Sequence, residues 1–499
     1  MFEERFNRAL DRTWAWARWQ VGLVSGSSRR AEGAGFRPSL GTGALLLAAF
    51  AYQVVSGGLL LLYYQPSVYP TLTLCGQSPG ALSSSPAAWC STFYIVHSVP
   101  MGAVLLTSHL YGAYVVIFLL LVHLFRGYYV GAYRQPGGAS SWALGVLLLL
   151  LTLGMGFTGY LLAYTQLSYN ATEVSVTLLQ SIPWTGSALA NLVIGDGTPQ
   201  SLLSRMFDAH VILLPAAVAL LIFLHKRTPL FPQVFLALAK WGLLYVGILL
   251  GVASIWLWPL PTYAGNSTGA PAVTVPAWYF LWLFKLVDFV GVSAAAAMLF
   301  AALLVLFFLL LPFVDRSPNP DPRGRPVFLF FGNSLMGFFI LMTVWGDVAP
   351  GVPVSPIEAA LRIGPVLGGN ALAVALFYRR FRRDVLRGKV AREPEPQRTP
   401  DGLSEDAGRA QNPRPASSMP TLITIAGLVA ALFLLAFGLV VPCLFLLAAF
   451  LIELAATSRS VVTHAGTSRV GPPSPSVFPM LACGATMILL LALVLTVAV

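Results

Sequence analysis

The chain has 499 residues, of which 57% are apolar and 10% charged, and its mean hydropathy is +0.76. So few polar groups cannot cover a water-soluble body of this size, which excludes a compact soluble enzyme and a disordered or collagen-like chain. The formal net charge of +11 does not indicate a nucleic-acid partner, because the basic residues lie between apolar runs and form no patch interleaved with aromatic residues. The composition predicts an integral membrane protein.

Apolar runs of about 20 residues, long enough to cross a membrane as helices, recur along the chain. Residues 1–38, with charged residues ahead of three tryptophans, are expected to form a cytoplasmic interfacial segment. Eight apolar runs precede residue 384, at about 40–64, 103–125, 141–163, 206–225, 235–257, 289–313, 327–345 and 356–378. A polar linker is predicted for 384–418 and two to three further spans for 419–499. The fold class is therefore an all-α, polytopic transmembrane helical bundle.

The positions of lysine and arginine predict the orientation, because cytoplasmic loops retain positive charge. Neither residue occurs between Arg37 and Arg126, so the loop 65–102 is expected outside and the N-terminus in the cytoplasm. A prokaryotic cytoplasmic membrane is the expected location. Cys75 and Cys90 share the external loop, where an oxidising compartment would permit a disulfide, with two unpaired thiols as the alternative.

Four of the six histidines lie in apolar runs, His109 and His123 on the second and His210 and His225 on the fourth. Intervals of 14 and 15 residues correspond to about 21 and 22 Å of helix, so each run presents both histidines on one face, with a modest angular offset for the second interval. The two helices run in the same direction, which predicts pairing of His109 with His210 near the outside and His123 with His225 near the inside. Each pair could hold one haem iron, whereas hydrogen-bonded core histidines are the alternative.

Four glycines repeat the 14-residue interval, Gly43 and Gly57 on the first run and Gly145 and Gly159 on the third. Glycine lets a helix backbone approach a flat macrocycle without a Cβ in between. Ordinary packing of helices through small residues is the alternative. We favour two stacked haems b walled by these glycines.

Several motifs accompany this spacing: Gln53-Val-Val-Ser-Gly57, His123-Leu-Phe-Arg-Gly127-Tyr-Tyr, Gly159-Tyr-Leu-Leu-Ala-Tyr-Thr-Gln166, Ser181-Ile-Pro-Trp184, Pro276-Ala-Trp-Tyr279 and the segment 315–326. Together with the histidines and glycines they resemble cytochrome b of the cytochrome bc complexes, the quinol:cytochrome c and quinol:plastocyanin oxidoreductases. The resemblance covers residues 36–380. It implies a di-haem four-helix bundle at 39–231 and a C-terminal part with a quinol-site loop at 232–383.

The resemblance also implies cofactors, partners and a reaction. Two bis-histidine haems b are expected, with Gln53 in the cofactor site and with Arg126 and Arg205 facing haem propionates. For the two arginines, anchoring of the chain at the membrane interface is the alternative. Quinol would be oxidised near the outer face, one electron passing to a Rieske iron–sulfur protein and on to a c-type cytochrome or an equivalent acceptor. The other electron would cross both haems to a quinone near the inner face, coupled to proton translocation. A homodimer surrounded by membrane lipid is expected.

The quinol-oxidation motif departs from the family pattern, which is Pro-Glu-Trp-Tyr. Pro276, Trp278 and Tyr279 are in place, but Ala277 replaces the glutamate and cannot accept a proton. Glu173 is the candidate acceptor and Asp288 the second candidate, with a solvated carboxylate as the alternative for Glu173.

The family's chloroplast branch carries a third, covalent haem, which needs a cysteine just before the first glycine of the spacing. Gly41 stands there, so no third haem is expected.

Two other classes of membrane protein remain as alternatives. A di-haem anchor of another quinone-linked oxidoreductase would explain the histidines, but not the Trp278-Tyr279 segment or the four glycines. A proton-coupled transporter would use the histidines as relays, yet the sequence shows no inverted repeat of broken helices.

Overall fold

The computed structural model describes residues 42–70, 85–134, 137–226, 242–265, 275–315 and 324–386. Within these ranges the secondary structure is helical, with three isolated β-bridges and no strand, which confirms the all-α prediction. The N-terminal segment, the polar linker and the additional C-terminal spans lie outside the described residues.

We number the described helices in chain order. They are α1 (Thr42–Leu61), α2 (Ala87–His97), α3 (Gly102–Val130), α4 (Gly138–Leu162), α5 (Gln166–Gln180), α6 (Gly186–Ile194), α7 (199–226), α8 (Leu243–Ile255), α9 (Leu281–Val287), α10 (Ala294–Val314), α11 (Pro326–Val348) and α12 (Pro356–Leu386).

Seven of these helices are long and apolar enough to cross a membrane, namely α1, α3, α4, α7, α10, α11 and α12. They match seven of the eight spans predicted before residue 384, and the chain is a multi-pass membrane protein. The remaining prediction, 235–257, is met by α8, whose 13 described residues form the second part of that run.

The described residues divide into two compact units. One comprises 42–315 with 338–361, and the other comprises 324–337 with 362–386. In the second unit, Asn333 donates to Asn370 at 3.1 Å and Asn370 donates to Ser334 at 2.8 Å. These buried amides join α11 to α12 where lipid offers no hydrogen bonds. The domain limits predicted from the sequence stay predictions.

In the first unit, α1 packs along α3 and α4 packs along α7, while α3 also contacts α4 and α8. The chain turns between α3 and α4 at Gly131, whose φ of 71° is left-handed and therefore suits glycine. The four histidines lie on α3 and α7, and this packing places both helices against neighbouring helices of the bundle.

Helix α7 contains a π-helical turn at one of its histidines. An α-helical segment, Pro199–Asp208, continues into the π turn Ala209–Leu213 and then into Leu214–Lys226. A π turn holds more residues per turn than an α turn. The extra residue of the 15-residue interval between His210 and His225 is thus taken up within the helix, next to His210.

On the side predicted to be external, α2, α5 and α6 are short helices that do not qualify as spans. Cys90 lies at 0% exposure on α2 and is disulfide-bonded. Its predicted partner, Cys75, lies outside the described residues, so that pairing stays a prediction.

Candidate functional site

The four predicted histidines face one another as two pairs. The ring centres of His109 and His210 are 6.3 Å apart, and those of His123 and His225 are 6.5 Å apart. We call the first the outer pair and the second the inner pair, after the predicted orientation. A metal bound through one nitrogen of each ring at about 2 Å, with the rings on opposite sides, separates the ring centres by about 6.3 Å. Both gaps have the size of one metal ion with two imidazole ligands.

Two imidazoles do not fill the coordination sphere of a transition metal. Among the described residues no group of three or more His, Cys, Asp or Glu side chains could hold an ion. Each pair therefore suits a metal whose other ligands come from a cofactor, as the nitrogens of a macrocycle do.

Both histidines of α7 hydrogen-bond to backbone carbonyls of α4. The Nδ1 of His210 lies 3.0 Å from the carbonyl oxygen of Met155, and the Nδ1 of His225 lies 2.8 Å from that of Ser141. A carbonyl only accepts, so Nδ1 carries the proton and Nε2 carries the lone pair that a metal binds.

Both histidines of α3 hydrogen-bond to hydroxyl groups of α1. The Nδ1 of His109 lies 2.9 Å from Oγ of Ser56, and the Nδ1 of His123 lies 3.0 Å from Oγ1 of Thr42. The Ser56 hydroxyl donates to the carbonyl of Tyr52 at 2.8 Å, so its oxygen accepts from His109. This fixes the proton of His109 on Nδ1 as well.

Sequence reasoning missed these four partners, although a signal was present. Thr42 and Ser56 each precede one of the four repeated glycines, and Ser141 and Met155 each stand four residues before one. Thr42 and Ser56 are 14 residues apart, and so are Ser141 and Met155. The 14-residue interval therefore marks the hydrogen-bond partners of the histidines as well as the glycines.

The four glycines lie against the histidine rings. A Cβ on Gly57 would stand 3.1 Å from Cε1 of His109, and a Cβ on Gly159 would overlap Cε1 of His210. At the inner pair the fit is looser: a Cβ on Gly145 would lie 3.3 Å from Cε1 of His225, and a Cβ on Gly43 would lie 4.0 Å from Cε1 of His123. The glycines thus make room for imidazole, while their contact with a macrocycle stays a prediction.

The remaining residues predicted for the cofactor site hydrogen-bond to the protein itself. Nε2 of Gln53 donates to the His109 carbonyl at 2.9 Å. Nη1 of Arg126 donates to Oγ1 of Thr42 at 3.1 Å, beside the inner pair. Nη1 of the exposed Arg205 donates to the carbonyl of Leu192 at 2.8 Å. The propionate contacts expected of both arginines stay predictions.

The Pro276–Tyr279 motif leads into a 3-10 turn, Trp278–Phe280, that continues into α9. Tyr279 is 3% exposed and packs with Ile117. Its hydroxyl points at α4, because a Cβ on Gly156 would lie 2.5 Å from that oxygen. Tyr279 therefore reaches the stretch of α4 that supports His210.

The two candidate proton acceptors have different surroundings. Glu173 is exposed on α5, close to Tyr169 and Tyr164. Burial, together with the nearby Tyr169 and Glu173, raises the pKa of Tyr164 to about 12. Asp288 instead accepts from Nζ of Lys285 at 3.1 Å. The Asp288 carboxylate is thus committed to an ion pair, whereas the Glu173 carboxylate is open to water.

Comparisons with known proteins decide the family. Residues 114–233 match the family model described as cytochrome b(N-terminal)/b6/petB, and residues 264–363 match cytochrome b(C-terminal)/b6/petD. The cytochrome bc complex cytochrome b subunit of Chlorobaculum thiosulfatiphilum is 30% identical over 326 residues, covering 60% of this chain and 72% of that protein. The chain belongs to the cytochrome b family.

Further relatives carry related names. The cytochrome b of Sulfolobus acidocaldarius is 32% identical over 380 residues, covering 65% of this chain and 64% of the relative's length. The menaquinol:cytochrome c reductase cytochrome b subunit of Geobacillus thermodenitrificans is 32% identical over 178 residues, covering 35% of this chain and 71% of that protein.

A solved structure shares the fold of this cytochrome b. A chain of the structure named "Hyperthermophilic respiratory Complex III" superposes with a TM-score of 0.52 at 24% identity, covering 67% of this chain and 88% of that one. Family membership implies that the chain binds haem b and acts as a subunit of a bc-type oxidoreductase complex.

Proposed function

We propose that this cytochrome b holds two haems b, one between His109 and His210 and the other between His123 and His225. The observation that carries the proposal is the similar separation of the ring centres, 6.3 and 6.5 Å, in two pairs on α3 and α7. The Nδ1 hydrogen bonds support it, because they hold each ring in one orientation. Bound haem supplies one-electron redox chemistry, and the two pairs place it at two depths in the membrane.

The chain oxidises quinol near the outer pair. Tyr279 and Trp278 line this site with Pro276, and Nε1 of Trp278 is a buried donor without a hydrogen-bond partner among the described residues. A quinol oxygen would satisfy that donor. Glu173 accepts the proton that Ala277 cannot, because its carboxylate reaches water while that of Asp288 is held by Lys285.

The reaction is bifurcated and requires other proteins. One electron leaves to a Rieske iron–sulfur protein and then to a c-type cytochrome or an equivalent acceptor. The other crosses to a quinone near the inner face, with proton translocation across a prokaryotic cytoplasmic membrane. The name of the Geobacillus relative, a menaquinol:cytochrome c reductase subunit, supports a quinol substrate and a cytochrome acceptor. The functional unit is a homodimer with the N-terminus in the cytoplasm.

Haem content tests the proposal. The purified complex should contain two b haems per chain, and His109→Leu and His210→Leu should each remove the same one. His123→Leu and His225→Leu should each remove the other, in optical spectra recorded during a redox titration. His97→Leu is the matched control, since His97 is exposed on α2 and stacks on Phe93. Absence of haem from the wild type, or loss of both haems from a single variant, would contradict the pairing.

A further inference from the structure

The hydroxyl groups that support the two α3 histidines are used differently. At the outer pair the Ser56 hydroxyl donates to the backbone carbonyl of Tyr52, and its oxygen accepts from His109. At the inner pair Oγ1 of Thr42 lies 3.0 Å from Nδ1 of His123 and accepts from Nη1 of Arg126 at 3.1 Å. The inner histidine is therefore bridged to a cation, whereas the outer one is bridged to a neutral carbonyl.

The Thr42 hydroxyl can accept both hydrogen bonds of this bridge between Arg126 and His123. A hydroxyl oxygen has two lone pairs, so Thr42 can accept from both the guanidinium and the imidazole. Because each nitrogen is about 3 Å from the same oxygen, the charged group and His123 lie within about 6 Å of each other. Hydrogen bonds that share an atom polarise one another, and arginine remains charged at every accessible pH.

No carboxylate among the described residues forms an ion pair with Arg126. The positive charge therefore remains uncompensated by protein in the described part of the chain. In a bundle core of low dielectric, such a charge acts over several ångströms on whatever the adjacent histidine binds. Among the described residues, no arginine or lysine is hydrogen-bonded to Ser56, the hydroxyl partner of His109.

We propose that Thr42 is a positioning residue that orients His123 and couples it to the charge of Arg126, which would raise the midpoint potential of a haem held between His123 and His225. The proposal rests on the haem assignment made above. A nearby positive charge stabilises the reduced state of the iron, which carries one positive charge less than the oxidised state.

The test is an optical redox titration of the purified complex carrying Thr42→Val or Thr42→Ser. Valine keeps the shape of the side chain but removes the hydroxyl, so the midpoint potential of the inner haem should fall while that of the outer haem stays unchanged. Serine keeps the hydroxyl and should retain the native potential. An inner midpoint unchanged by Thr42→Val, or an equal shift at both haems, would overturn the proposal.

A second variant separates action through Thr42 from action of the charge alone. Arg126→Gln should also lower the inner midpoint, and the Thr42→Val/Arg126→Gln double variant should lower it less than the two single shifts combined. Additive shifts would show that Arg126 acts independently of Thr42 and would overturn the coupling.

Haem retention distinguishes the possible failures. Loss of the inner haem from Thr42→Val but not from Thr42→Ser would support the orienting role, and loss from both would overturn the role of the hydroxyl. A wild-type complex without two b haems would instead overturn the haem assignment itself. The electron paramagnetic resonance spectrum of the oxidised haems gives an independent readout, because it reports the relative orientation of the two imidazole planes at each iron.

Discussion

Gly159 of α4 lies so close to His210 of α7 that a Cβ in its place would overlap Cε1 of the imidazole. Gly43 of α1 likewise faces an imidazole, that of His123 in the inner pair. There a Cβ would lie 4.0 Å from Cε1, which is ordinary van der Waals contact. Two glycines that are equivalent in the sequence therefore face different steric limits.

This difference predicts opposite outcomes for the same substitution. Gly159→Ala should displace His210 and lower the content of the outer haem severalfold, because the methyl group and the ring cannot occupy the same space. Gly43→Ala should leave both haems in place. Haem content per chain measures both. An outer haem retained in Gly159→Ala would contradict the steric limit at His210, whereas loss of the inner haem from Gly43→Ala would show that a side chain there obstructs the macrocycle.

Lys285 is a buried cation with a defined set of partners, and it should be a stability determinant. Its Nζ donates to Asp288 at 3.1 Å and to the carbonyls of Ala349 and Val352 at 2.8 and 2.9 Å, and its side chain is 0% exposed. Lys285→Met should destabilise the protein by about 3–5 kcal/mol, because Asp288 would be left without its counter-charge. Thermal unfolding in detergent measures the loss.

Two further variants control for this effect. Lys285→Met/Asp288→Asn should recover part of the stability, since no uncompensated charge remains. Arg380→Gln, which removes an exposed charge from α12, should change the melting temperature little. A melting temperature unaffected by Lys285→Met would contradict the role of the ion pair.

Glu173 should matter for turnover and not for folding. Glu173→Gln should slow quinol oxidation by at least about tenfold and should flatten its pH profile, because an amide cannot take up a proton. Quinol-dependent reduction of cytochrome c across a pH series measures this. Asp288→Asn is the discriminating control, since the ion pair with Lys285 predicts lower stability with an unchanged pH profile. A native profile for Glu173→Gln would remove that residue from the mechanism.

Tyr164 should make the protein sensitive to alkali. Its pKa is raised from 10.0 to about 12, first by burial and then by Tyr169 and Glu173. The folded state thus keeps a proton that the unfolded chain loses, so the associated stability is present below pH 10 and is lost as the pH rises towards about 12. Tyr164→Phe should reduce the fall in melting temperature between about pH 10 and 12, whereas Tyr69→Phe, at a side chain 67% exposed, should not.

Much of the architecture follows from local features of the sequence. Apolar runs of membrane length predict spans because the bilayer leaves backbone groups no partner outside the helix, and seven of the eight predicted spans are present as full helices in the described residues. The intervals of the histidines and glycines predict which faces of α1, α3, α4 and α7 meet, because helical periodicity is a property of each segment alone. The resemblance to cytochrome b rests on those residues together with the motifs around them.

The tertiary structure decided what the four histidines contact. The partners of Nδ1 are 53 to 84 residues away in the chain, so no local pattern names them. The π turn beside His210, which takes up the extra residue of the 15-residue interval, was likewise visible only in the structure. Packing also separated the exposed carboxylate of Glu173 from that of Asp288, whose partner Lys285 is buried against the carbonyls of Ala349 and Val352, more than 60 residues further along the chain. Helix periodicity is encoded locally, whereas hydrogen bonds and ion pairs between helices depend on how the helices pack.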